Sequence, residues 1–80
     1  MKPFKLIITK INGPLYDAEA FSVTLPGEAG EMTVLAHHEA FITRMKPGTI
    51  TVTHASGTES YPVDSGIVEI VDKALIKLES

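Results

Sequence analysis

The stretch FSVTLPGEAGEMTVLAHHEAFITRMKPG, Phe21 to Gly48, decides the fold. Phe21, Val23 and Leu25 alternate with Ser22 and Thr24, the period of a half-buried strand rather than of a helix. The run then breaks on Pro26-Gly27-Glu28-Ala29-Gly30, a cluster whose residue types reverse a chain. Further on, Ala36, Ala40, Phe41 and Met45 could share a helical face, whereas Phe41, Thr43 and Met45 alternate with Ile42 and Arg44 as in a strand. The β-branched Ile42 and Thr43, and the stop at Pro47, favour a loop up to Ala40 and a strand after it.

Working outward, the same period returns on both sides. Phe4, Leu6 and Ile8 alternate with Lys5, Ile7 and Thr9, and Ile50 and Val52 alternate with Thr49, Thr51 and Thr53. Tyr61 and Val63 continue the pattern around Pro62, which cannot donate to a ladder and so predicts an edge or a bulge. Val68 with Ile70 and Ile76 with Leu78 supply two more strands. Turn chemistry separates them at 12–14, 26–30, 46–48, 55–57, 64–66 and 72–73. Short strands at this spacing, rich in Thr, Val and Ile, predict an all-β domain. Its expected form is a flattened antiparallel β-sandwich of two sheets and about eight to ten strands, spanning 1–80 as one domain.

A chain of 80 residues buries only about 60 to 65% of the surface its unfolded form exposes, so the core is small. Apolar residues at 44% and charged residues at 21% fit a folded globular domain. The absence of cysteine removes disulfides and thiolate metal sites as substitutes for core packing. A net charge of −3 has the wrong sign for neutralising phosphates, so nucleic acid is not an expected partner. The opening MKPFKLIITK carries an apolar run too short for a signal-peptide core. No window approaches the ~18 consecutive apolar residues a membrane-spanning helix needs.

Reaction chemistry finds little material. His37 and Glu39 share a face in an extended chain and His38 opposes them, so a zinc ion would need His54 from another strand. The ordinary reading is surface or loop histidines, and no metal is expected. Asp64 and Ser65 beside a histidine could form a nucleophilic site, but they lie in a DSG turn whose usual purpose is chain reversal. Glu28 and Glu31 border a glycine turn with no deep cleft to desolvate either carboxylate. GEAGE lacks the Lys and Ser/Thr of a phosphate loop, and its glutamates would repel phosphate. No catalytic residue and no cofactor are expected. By parity Ile7 points away from the core, and Leu75 opposes Ile76 and Leu78; a cluster of such positions would form a docking patch.

The same central stretch resembles a known family. GEAGEMTVLAHHEAFITRMKPG is similar to the glycine-rich turn and following segment in the N-terminal domain of the epsilon subunit of F-type rotary ATP synthases, called delta in mitochondria. Gly27, Gly30, Glu31, Met32, Leu35, His38, Thr43, Pro47 and Gly48 occupy the family's places without a gap. DSGIVEIVDKALIKLES looks like its G-G-x-L/V-E-V stretch, with Gly66, Val68 and Glu69 agreeing and Ser65 replacing the first glycine. Thr33 departs from a usual glycine, and Ala36, His37, Glu39 and Ala40 depart from small or proline residues, which implies a different loop path.

The resemblance implies a noncatalytic central-stalk subunit that couples gamma to the c-ring of a proton-translocating enzyme during ATP synthesis. It would sit peripherally at the cytoplasmic face of the inner (cell) membrane. Gly27, Glu28, Gly30, Glu31 and Met32 would meet the c-ring loops, and His38, Phe41, Ile42 and Thr43 would lie along gamma. Family members commonly continue into a two-helix C-terminal domain. This chain stops before it, so no nucleotide binding and no helix-mediated inhibition are expected of it. The other reading of the same fold is a free-standing protein-interaction domain with a different partner.

Overall fold

A computed structural model describes residues 2–10, 13–36, 41–64, 66–70 and 74–78, which hold nine strands and, among the described residues, no helix. They are β1 (Phe4–Lys10), β2 (Gly13–Ala20), β3 (Ser22–Gly27), β4 (Gly30–Val34), β5 (Phe41–Met45), β6 (Gly48–His54), β7 (Gly57–Val63), β8 (Gly66–Ile70) and β9 (Ala74–Leu78). The strand expected after Ala40 is β5. The edge position expected from Pro62 is also found, since among the described residues β7 pairs with β6 alone, Pro62 lying opposite Thr49.

Hydrogen bonding links the strands in the order β2-β1-β9-β8-β5-β3-β6-β7, with β4 added on β3. The link between β5 and β3 is a single pair, Gly27 opposite Met45. The path therefore folds there into two layers, β2-β1-β9-β8-β5 over β4-β3-β6-β7. Phe4, Leu6, Ile8, Tyr16, Ala20, Met45 and Ile76 bury against Val23, Leu25, Val34, Ile50, Val52 and Val63 in one core. Extents of 30 × 24 × 18 Å give the flattened shape that two packed sheets require.

Alternation dictates this outcome residue by residue. In β3 the pattern is half-buried, buried, half-buried, buried from Ser22 to Leu25, so Val23 and Leu25 enter the core while Ser22 and Thr24 stay at the outer face. The outer threonines use the same pleat: Thr24 and Thr33, opposite each other on β3 and β4, join hydroxyls at 2.9 Å. Gly13 and Pro14, expected in a turn, begin β2, and the register of that strand against β1 shifts between Ile8 and Thr9 and leaves Leu15 exposed.

One pairing departs from the antiparallel expectation: β1 and β9 run parallel, with Leu6, Ile7, Ile8 and Thr9 opposite Ala74, Leu75, Ile76 and Lys77. Parallel neighbours need a long crossover, and here the whole intervening chain supplies it. Short-range sequence patterns carry no signal for such a pairing. Its effect is to seat the first and last strands together in the middle of one layer.

Candidate functional site

The glycine turn is a hairpin in which Gly27 faces Gly30 and only Glu28 and Ala29 lie between β3 and β4. Gly30 has φ 143°, a region that side chains disfavour, so the reversal depends on a residue without Cβ. Gly27 is needed for space instead: a Cβ there would stand 2.8 Å from the Gly30 carbonyl oxygen and 3.1 Å from Met32 Sδ. The turn projects both carboxylates, since Glu28 and Glu31 are exposed.

The hairpin is clamped at its base by β5. The Glu28 amide donates to the Arg44 carbonyl and the Lys46 amide donates to the Pro26 carbonyl, each at 2.9 Å, flanking the Gly27–Met45 pair. Pro26 thus contributes its carbonyl to this corner. Gly48 approaches so closely that a Cβ on it would meet Pro26 Cβ at 2.9 Å, which brings the two Pro-Gly dipeptides of the central stretch together. A shallow open depression lies at the corner, lined by Gly27, Ala29, Gly30, Glu31, Met32 and Thr43.

Four of the five turn residues singled out from sequence, Gly27, Gly30, Glu31 and Met32, therefore share one surface, and Glu28 projects beside it. Thr43, assigned to the other partner, lines the same depression. Ile42 does not join it: alternation puts Ile42 on the opposite face of β5, where it is 67% exposed. Phe41 opens β5 opposite Ile70. His38, with the loop path around His37, Glu39 and Ala40, lies outside the described residues. Arg44 and Lys46, both exposed beside the hairpin, were missed by the sequence reading; the antiparallel pairing of β5 with Gly27 is what delivers them.

The register also answers whether outward apolar positions cluster. Ile42, Glu69, Leu75, Ile7 and Asp17 fall in one row across β5, β8, β9, β1 and β2. The row mixes apolar and acidic residue types; of its members Ile42 and Asp17 are exposed and Ile7 is half-buried.

The far end of the sandwich holds a polar cluster. His54 Nε2 lies 2.7 Å from Glu59 Oε2, Tyr61 donates to Glu59 Oε1 at 3.0 Å, and the Tyr16 and His54 rings stand 5.9 Å apart. Burial first, and then the Glu59 charge, raise the Tyr16 hydroxyl above its usual range. Tyr61 is raised too, by burial first, then by its hydrogen bond to Glu59 and the charges nearby. Among the described residues no three metal-ligating side chains converge. Asp64 is exposed, and Ser65 lies outside the described residues.

Comparison with known proteins places this geometry. The family model for the ATP synthase Delta/Epsilon chain, β-sandwich domain, matches residues 3–76. The ATP synthase epsilon chain of Sulfurimonas denitrificans is 43% identical over 79 residues, covering 98% of this chain and 61% of the relative. A chain of the Euglena gracilis mitochondrial ATP synthase (OSCP, F1 and c-ring, rotational state 1) superposes with TM-score 0.83 at 22% identity, over 98% of this chain and 50% of the other. A chain of the Tetrahymena thermophila mitochondrial ATP synthase central stalk and c-ring superposes with TM-score 0.81 at 12% identity, over 95% and 63%. The latter two likenesses carry the fold, and the chain spans about half to three-fifths of each protein compared. With nearly the whole sandwich matched by the family model and the central stretch folded into its clamped glycine corner, the chain belongs to the ATP synthase Delta/Epsilon family, as its β-sandwich domain.

Proposed function

We propose that this chain, with 1–80 acting as one domain, is the sandwich part of a noncatalytic epsilon-type subunit in the central stalk of a proton-translocating F-type ATP synthase. It links gamma to the c-ring during ATP synthesis and sits at the cytoplasmic face of the inner (cell) membrane through the assembled complex. The supports are the family itself, the name of the bacterial relative, and the central-stalk and c-ring assembly in which a chain of like fold is found.

The observation that carries the proposal is the clamped corner. A coupling part must transmit torque without yielding, and here an acidic turn is held at its base by two backbone bonds from the opposite layer. Glu28 and Glu31 project from it to meet polar and basic loops of the ring, and such charge contacts set register and partner choice more than affinity. Gly27, Gly30 and Met32 form the floor of that contact. Phe41, Ile42 and Thr43, with His38, are assigned to gamma; Thr43 marks where the two contacts adjoin, while Ile42 and its row extend the gamma contact over the outer face of β5 and its neighbours.

Replacing Glu31 with Lys in the assembled enzyme tests the ring contact. The expected result is weaker docking on the ring and lowered coupling of proton flow to ATP synthesis, with gamma still bound. Normal assembly and coupling in a folded Glu31→Lys subunit would remove the role.

A further inference from the structure

The cluster at the far end of the sandwich has no part in the docking corner. His54 ends β6, its side chain only 18% exposed, and its two ring nitrogens have different partners. Nδ1 accepts the Ser56 amide at 3.1 Å, and Nε2 faces Glu59 Oε2 at 2.7 Å. A backbone N–H only donates, so Nδ1 must present its lone pair, and the ring hydrogen sits on Nε2 toward the carboxylate. The turn between β6 and β7 thus fixes the tautomer.

We infer that His54 is a proton-operated latch on the β6–β7 turn: a second proton, taken up at Nδ1, displaces the Ser56 amide while Nε2 keeps Glu59. Imidazole is the side chain whose ordinary titration lies near neutrality, and a doubly protonated ring has no acceptor left. Among the described residues the groups facing it are Glu59 from β7 and Tyr16 from β2, with Tyr61 held on the other oxygen of Glu59. None is cationic, so a charged ring meets no like charge among these neighbours. Acidification exchanges a neutral turn bond for a charged pair with Glu59. Ala55 and Ser56 are both exposed, so the released turn moves without disturbing the core. Ala55 also walls a notch with Pro3, Glu19, Ala20 and Phe21, so the latch sets the shape of that surface.

The test is a pH titration of the 15N-labelled chain by NMR, following the His54 ring nitrogens and the Ser56 amide together. The ring is expected as the Nε2–H tautomer at high pH, with the Ser56 resonance shifting at the same midpoint as the ring. Exchange of the Ser56 amide should rise roughly threefold to tenfold on acid release, relative to the same amide in His54→Asn, whose short side-chain oxygen accepts without titrating. An Nδ1–H tautomer, or a Ser56 amide indifferent to the ring's titration in the folded chain, would overturn the latch.

Discussion

At the scale of single residues, the glycines of the central stretch separate into two kinds that look alike in sequence. Gly30 answers a backbone demand, and Gly27 and Gly48 answer demands for space. Gly27→Ala places a Cβ against the Gly30 carbonyl, a backbone atom that cannot swing aside. The expected cost is about 1–3 kcal/mol, measured by denaturant unfolding, and it should be accompanied by altered amide shifts at Glu28 and Lys46. Thr33 is accommodated on β4 because Thr24 lies opposite and its hydroxyl completes a cross-strand pair.

Among elements, β5 does the most to define the proposed docking surfaces. It pairs with β8 over its whole length, joins the β3 ladder at Gly27, and thereby hinges one layer to the other at the base of the acidic turn. Its outer face carries Ile42, which contributes nothing to the core. Ile42→Asp is expected to leave the chain folded at a cost of about 1 kcal/mol, because Asp is disfavoured in a strand and would stand opposite Glu69. It should weaken gamma binding by roughly tenfold or more, as loss of an apolar anchor does; calorimetric titration against gamma reads this. Strands β2, β6 and β7 meet at the other end, where Tyr16 and Tyr61 have hydroxyls raised above the ordinary value of 10.0. Because the folded state holds those protons more tightly than the unfolded chain, their contribution is complete below the unfolded value and falls as pH climbs past it. Thermal melts should show Tm dropping more steeply above about pH 10, and the double change Tyr16→Phe with Tyr61→Phe should flatten that drop.

For the whole molecule, the sequence was legible where the period of 2 could speak: the faces of β1, β3 and β6, the edge position of Pro62, and the strand after Ala40 all follow from alternation and turn chemistry. The pairing of β1 with β9 was not legible, because those strands meet only after every strand between them is placed, and no local pattern records it. The candidate site divided in the same way. The turn residues were readable from their glycines and glutamates, whereas Arg44 and Lys46 come to the corner through a cross-layer pair that spacing cannot express. The split of Ile42 from Thr43 was implicit in alternation, yet which face is left outside depends on how the layers close. That closure produces a small flattened body, and the central claim is that gamma docks on its surface. The direct measurement is light scattering on a size-exclusion column after mixing the folded chain with gamma. A single stable heteromer, weakened by Ile42→Asp, is the predicted result. Separate elution of two folded proteins at concentrations well above micromolar would contradict the account and leave a sandwich that docks elsewhere.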